Sequence, residues 1–407
     1  MEYRERNGIT YVSLGGSFPS GARPVRRPAS PLVILVRRDP LRSRGFWAIS
    51  CLGELTEPEG PAALLPVSAP ADVPAELEAF VRANGASVLN TAFPGGFTYA
   101  EQWFARSRRK WKVTLVGLGD VGGTVLTGLK LLGKNLSEIA VFDMNEAQCR
   151  RYEMELNQVL SPDGTELPKV TVCREEDLFD CDLFLFTASR GVPAVGAAVS
   201  DVRMAQYEAN RAMLSVYARR ARAARFNGLF CQISDPVDLL ARAVYLESNR
   251  GEAGHFDWQG LLPEQVQGFG LGVMAARAAY YAPALGLDPK EIAVFGPHGQ
   301  GLVAANRTDD GYHEEVSEEL SRLTREANLR VRDLGFKPYI APGLSSAAIS
   351  VLQTAEGQFH HGAVPLGSAW FGCRSRYTRF GLETKREPLN EELLRRLERA
   401  YEELKED

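Results

Sequence analysis

Three glycines and an acid stand at the spacing needed to hold a nucleotide. Gly117, Gly119 and Gly122 form G-x-G-x-x-G directly after the apolar run VTLV, and Asp143 closes the next apolar run, EIAVF. At a strand-to-helix corner the first glycine permits a tight turn, the second lets backbone approach a pyrophosphate and the third allows close helix packing. The helix that follows would point its N-terminal amides at the phosphates. Asp143 would accept hydrogen bonds from both ribose hydroxyls and repel a 2′-phosphate, so the pattern predicts NAD rather than NADP. A second chemical signal is His298, one of five histidines, set between glycines in GPHGQG just after EIAVF. Imidazole exchanges a proton nearest to neutral pH, which suits general acid–base work at an exposed strand end.

Four later segments become legible together with the nucleotide unit: ASRGVPAVGAAVSDVRMAQYEAN (188–210), ISDPVD (233–238), GFGLGVMAAR (268–277) and VFGPHGQG (294–301). In order and spacing they resemble the L-lactate and L-malate dehydrogenase family, over Lys112 to the C-terminus. The resemblance implies that Arg203, seven residues before Asn210, polarises a substrate carbonyl, a task suited to a fixed cation. It implies that Arg277 holds the substrate carboxylate with a planar two-pronged donor, and that His298 is the proton donor and acceptor. Ser345 falls near the family's small hydroxyl beside the nicotinamide. With Asp120, Val121, Ala188 and Ser234 added to Gly117, Gly119, Gly122 and Asp143, the expected cofactor-binding set is complete. The segment from Ser189 to Val202 corresponds to a lid that closes over substrate.

Three positions depart from the family. The acid that orients the catalytic histidine stands three residues before the carboxylate-binding arginine, and here that residue is Met274. A thioether is a poor partner for imidazole N–H, so His298 is expected to be less well oriented and less basic. Second, Asp235 replaces the asparagine before the Pro-Val-Asp turn. Asp235 and Pro236 together suit a helix N-cap and first turn; alternatively Asp235 partly replaces the missing acid and pairs with His298 or Arg203. Third, the loop after Ala188 is longer than the family's, and Gly191 or Val192 occupies the position that selects lactate or malate. A small or apolar residue there suggests room for a bulkier 2-oxo acid, unless Arg190 reaches in for a second carboxylate.

These residues need a frame. Short apolar runs between helices (VTLVG, EIAVFD, DLFLFTA, GLFCQIS) suit a parallel sheet covered on both faces. The expected fold class is therefore α/β, a Rossmann-type doubly wound parallel sheet (111–265) followed by an α/β substrate domain (266–407). In the latter, helices are expected over Val273–Ala284 and from Val316 to Leu334, stopped by Gly335, with a last amphipathic helix from Leu389 to Leu404. Residues 1–110 read as a small additional α+β domain, with strands in ITYVSL, PLVILVRR and WAISCLGEL and a helix over Ala75–Ala83. Its arginines (Arg23, Arg26, Arg27, Arg37, Arg38, Arg42, Arg44) carry no motif and read as a solvated face.

Composition bounds the rest. With 407 residues, 45% hydrophobic content, formal charge −4 and pI ≈ 5.9, the chain has no signature of a nucleic-acid binder. Cys51, Cys149, Cys173, Cys181, Cys231 and Cys373 include no CxxC pair and read as buried thiols in a reducing cytoplasm, not as metal ligands. No run reaches the ~18 apolar residues of a membrane span. The expectation is an NAD-dependent oxidoreductase interconverting a 2-hydroxy acid and a 2-oxo acid, in a homo-oligomer (dimer or tetramer) by resemblance. Two rivals follow from the departures: a catalytically weakened NAD(H)-binding sensor, favoured by Met274 and by the GPHGQG segment, which lacks the acids the family usually shows before the histidine and after the glycine, and an oxidoreductase acting on a cationic imine or amine beside Asp235.

Overall fold

The computed structural model describes residues 1–70, 73–106, 110–190 and 202–406; of residues 202–206 and 406 only the backbone is described. The N-terminal region forms strands β1 (Tyr3–Arg6), β2 (Ile9–Ser13), β3 (Arg23–Val25), β4 (Leu32–Val36) and β5 (Phe46–Ile49). Helix α1 (Ala75–Asn84), strand β6 (Ala86–Asn90) and helix α2 (Gly96–Ala105) complete it. Period-two alternation explains how this small sheet is buried on both faces. In β4, Leu32, Ile34 and Val36 join one core with Leu77 and Val81 of α1, whereas Val33 and Leu35 point into the main core with Tyr99 and Trp103 of α2.

The middle region carries the glycine-rich corner. It comprises β7 (Trp111–Val116), α3 (Asp120–Leu132), β8 (Leu136–Phe142), α4 (Glu146–Leu156), β9 (Lys169–Val172), β10 (Leu183–Phe186), α5 (Val202–Ala223), β11 (Leu229–Gln232), α6 (Val237–Ser248) and β12 (Val266–Gly268). Its strands run in the order β12-β11-β10-β7-β8-β9, all parallel, which is the doubly wound 3-2-1-4-5-6 arrangement. The winding direction reverses between β7 and β10. The crevice beyond their C-terminal ends is where such a sheet binds its ligand. Strand β12 is the sixth parallel strand and lies just past the expected boundary at residue 265.

The remaining elements are α7 (Leu271–Tyr281), the hairpin β13 (Ala293–Phe295) and β14 (Val303–Ala305), α8 (Glu314–Asp333), a π-helical segment Pro342–Ile349, α9 (Ser350–Ala355), β15 (His360–Pro365), β16 (Trp370–Thr378), β17 (Gly381–Thr384) and α10 (Glu391–Glu406). Strand β15 pairs antiparallel with β12, β16 and β17 continue the sheet as successive antiparallel neighbours, and β17 meets β5 through the pair Leu382↔Trp47. The N-terminal strands therefore belong to the same 15-stranded sheet as the parallel strands of the middle region. Among the described residues no helix is long and apolar enough to cross a membrane, and all six cysteines are free thiols.

Candidate active site

The glycine corner is built as its spacing dictates. Gly117 holds φ +94°, and a Cβ there would sit 2.6 Å from the Ala188 nitrogen; a Cβ on Gly122 would sit 1.9 Å from the Gly117 carbonyl. Only glycine lets β7, α3 and the end of β10 converge this closely. A Cβ on Gly119 would meet nothing within 4 Å, so its backbone faces open space. That space is a cleft of ≈ 470 Å³ lined by Gly117, Gly119, Asp120, Val121, Gly122, Asp143 and Ala188. Asp143 first holds the corner itself: Oδ2 accepts from Leu118 N at 2.7 Å and Oδ1 from Asn145 N at 2.9 Å. Lys337 places its ammonium 3.0 Å from the Asp120 carboxylate at the start of α3. Ser234 is buried and donates to the Ala188 carbonyl at 2.7 Å. It fixes the wall of the cleft and does not line it.

The ends of β11, β12 and the β13–β14 hairpin bring the second constellation together. His298 sits at the hairpin tip, and its Nδ1 lies 3.1 Å from Asp235 Oδ1. A carboxylate only accepts, so Nδ1 carries the proton and Nε2 is the nitrogen left for exchange. Asp238, buried at the first turn of α6, accepts the His298 backbone N–H at 2.8 Å. The ring also lies against bare backbone, because a Cβ on Gly270 would be 2.7 Å from His298 Cγ.

Charge in this cleft is balanced by partners. Burial would lower the His298 pKa, but the hydrogen bond and charge of Asp235, with the charge of Asp238, outweigh it and the pKa is raised. For Asp235 desolvation in the cleft pushes upward although the side chain is 62% exposed, yet the bond and charge of His298 and the charge of Arg277 prevail and its pKa is lowered. Burial dominates at Asp238 and raises it to about 6. Arg277 lines the same cavity of ≈ 330 Å³ as Asp235, Asp238, Met274 and His298. Desolvation lowers its pKa below the ordinary arginine value, and the guanidinium remains a cation.

Several sequence expectations look different in three dimensions. Helix α6 starts at Val237 with Pro236 as its N-cap, so Asp235 is not the cap; its side chain turns to His298 instead. Met274 is 5% exposed and packs with Leu271, Val273 and Leu320, its sulfur 3.7 Å from an Arg277 nitrogen. Ser345 lies in the π-helical segment, but the neighbouring Ser346 is the one tied to the site, donating to Gly270 O at 2.6 Å and accepting from Val273 N at 2.8 Å. Arg203 lies on α5, but its side chain falls outside the described residues, as do residues 191–201 and with them Gly191, Val192 and most of the expected lid. Two residues had not been singled out for the roles they occupy. Asp238 was visible only as the end of the Pro-Val-Asp turn. Asn210, fully buried, donates to the Asp235 carbonyl at 2.8 Å and accepts from Arg190 N at 2.9 Å, joining the two loops that flank the crevice. Among the described residues no cluster of side chains could hold a metal ion.

Known proteins share this fold and part of this sequence. No family model matches the chain. It is 27% identical to L-lactate dehydrogenase 1 of Bifidobacterium longum over 201 residues, 48% of this chain and 57% of that protein, so it spans little more than half of that relative's length. It is 26% identical to L-lactate dehydrogenase 2 of Bacillus cereus over 253 residues, 58% of this chain and 74% of that one. In fold it overlays a minor L-lactate dehydrogenase from Enterococcus mundtii with TM-score 0.60 at 20% identity, covering 74% of this chain and 98% of that structure. A malate dehydrogenase from Plasmodium falciparum overlays with TM-score 0.58 at 17% identity, over 72% of this chain and 96% of that structure. The sequence likeness, the shared fold and the reversal crevice with its glycine corner lead to one conclusion: the chain is similar in sequence to L-lactate dehydrogenases and shares the fold of lactate and malate dehydrogenases.

Proposed function

We propose that this protein is an NAD-dependent oxidoreductase that interconverts a 2-oxo acid and a 2-hydroxy acid. The observation that carries the reading is the 3.1 Å pair between His298 and Asp235, which supplies an acid partner where Met274 cannot. The crevice fits NAD(H): Gly119 presents open backbone for a pyrophosphate, α3 aims its N-terminus there, and Asp143 stands at the strand end for the ribose. When bound, the nicotinamide supplies or accepts the hydride at the substrate's C2. The chain's own residues do the rest. Arg277 holds the carboxylate, His298 delivers a proton from Nε2 to the developing alkoxide, and Asp235 steadies the imidazolium through Nδ1. Arg203 is assigned the polarisation of the carbonyl by family resemblance.

The sensor alternative rested on Met274 and on the GPHGQG segment, which lacks the acids that flank the histidine in the family; the acid beside His298 answers the argument from Met274. Asp235 is likewise engaged by histidine, which leaves the cationic-imine reading without its anchor. Titration with NADH followed by a panel of 2-oxo acids, read as loss of nicotinamide absorbance, tests the proposal. Tight NADH binding with no turnover across the panel would overturn it. The homo-oligomer and cytoplasmic location belong to the same proposal, and light scattering on the purified chain checks the former.

A further inference from the structure

We propose that the chain binds an adenine ring at a second site, at the end of the sheet opposite the glycine corner. A cavity of ≈ 810 Å³ lies there, larger than the ≈ 470 Å³ cleft at that corner or the ≈ 330 Å³ cavity beside His298. Its size suits a small-molecule ligand. Trp111, which opens β7, and Asp182, which immediately precedes β10, both line it, whereas Gly117 and Thr187 follow the other ends of the same strands and line the crevice. The six residues of β7 span about 20 Å, so the two sites are separate. Helix α2 of the N-terminal region closes one side of the cavity with Trp103 and Phe104, and Arg379 closes another from the turn after β16.

The lining offers rings for packing and polar groups for reading an edge. Trp103, Phe104, Trp111 and Tyr377 supply aromatic surface, and the Arg106 guanidinium lies 4.7 Å from the Trp103 ring centroid and 5.8 Å from that of Trp111. Nucleobases stack well on such surfaces. Asn135 also lines the cavity, and neither its side-chain oxygen nor its nitrogen has a hydrogen-bond partner. Arg106 donates through Nη2 to the Asn227 carbonyl at 2.7 Å, but its Nη1, 3.7 Å from Asp182, makes no hydrogen bond. Native proteins rarely leave buried polar atoms so. No bond holds the Asn135 amide in its present rotamer, so it is free to turn toward a ligand. The open groups are one acceptor, Asn135 Oδ1, and two donors, Asn135 Nδ2 and Arg106 Nη1. Adenine presents the complement on one rim, with its N6 amino group as donor between the acceptors N1 and N7, and an amide side chain pairs naturally with N6 and N7. Hypoxanthine has a carbonyl at C6 and an N–H at N1, which reverses those two positions. The charges around the cavity call for an uncharged ring: Arg106 is set against Asp182, Lys110 against Glu166 at 3.2 Å, and Arg379 shares the lining with Glu356.

Calorimetric titration of the full chain with adenosine and inosine tests the site, and photolabelling with 8-azidoadenosine, mapped by mass spectrometry, locates it. Adenosine is expected to bind at least about 10-fold tighter than inosine, and N135L is expected to weaken adenosine by at least about 10-fold, because a site built to pair polar groups rejects a mismatched edge. The label is expected on residues of this cavity, Trp103, Trp111 or Arg379 among them. The Asn135 side chain makes no hydrogen bond within the chain, so N135L removes none, and its melting temperature checks the fold. Labelling of the wild-type chain keeps the test valid if N135L misfolds. Absence of adenosine binding, equal affinity for inosine, an adenosine affinity untouched in folded N135L, or label confined to the glycine corner (117–122) would overturn the inference; in the first case a bound water satisfies Asn135 instead.

Discussion

His298 meets two carboxylates from one turn, Asp235 at its ring and Asp238 at its backbone N–H, and the bond of the first and the charge of both raise the imidazole's affinity for a proton. In the reducing direction the histidine must enter protonated, so kcat/KM is expected to fall as pH rises through the His298 pKa, which lies above the ordinary 6.5. In D235N that falling limb moves to lower pH. H298N is expected to lose about 10²- to 10⁴-fold in kcat with NADH affinity unchanged, measured by steady-state kinetics and fluorescence titration. Arg277 makes a different kind of contribution: R277K keeps the charge but loses the fork, so KM should rise by about 10-fold or more with a smaller change in kcat. The motif residues were legible because their chemistry needs a fixed type at a fixed spacing. Asp235 was legible only as a choice between a helix cap and a partner for His298, since that choice depends on where the β13–β14 hairpin ends in space.

Element geometry explains what holds these groups in place. Gly270 precedes α7 and leaves room for the imidazole, so G270A would push against His298 Cγ from 2.7 Å. A displacement of about 1 Å at a proton donor costs on the order of 10²-fold in rate. Kinetics of G270A should therefore show that loss, with unfolding close to wild type. Asn210 ties α5 to the Asp235 backbone, and N210A leaves a part-buried carbonyl without this donor; about 1 kcal/mol of stability is expected to go with it in a urea titration. The strands β7, β8, β10 and β11 and helices α1, α7, α8 and α10 were legible from periodicity. Strands β1 and β3, reading YRER and RPV, were not, because their polar residues lie toward the sheet edge and carry no apolar alternation. The π-helical turn at Pro342–Ile349 was hidden for another reason: it is set by packing on α3, where Gly128 meets Ala348 and Gly343 meets Thr124.

At the scale of the whole molecule, the N-terminal strands are bound into the main sheet and share its core through Val33, Leu35 and Phe46. That junction contains Glu264, 1% exposed, which accepts from Gly45 N at 2.8 Å while its second oxygen has no hydrogen-bond partner. Burial raises its pKa from 4.5 to about 8. The folded chain thus binds a proton that the unfolded chain releases between those values, so stability is full below about 4.5 and declines as pH rises toward 8. E264Q should flatten that decline and raise the melting temperature at pH 8, by an amount reflecting at most a few kcal/mol. A 15-stranded continuity could not be read from sequence, because strand neighbours such as β5 and β17 are far apart along the chain. The central claim is that Asp235 stands in for the acid missing at Met274, and nitrogen-15 NMR of the labelled histidines, with H298N to assign the signal, tests it most directly. The account predicts an Nδ1-protonated neutral ring with a pKa above 6.5 that drops in D235N. An Nε2-protonated ring, or a pKa unmoved by D235N, would contradict it.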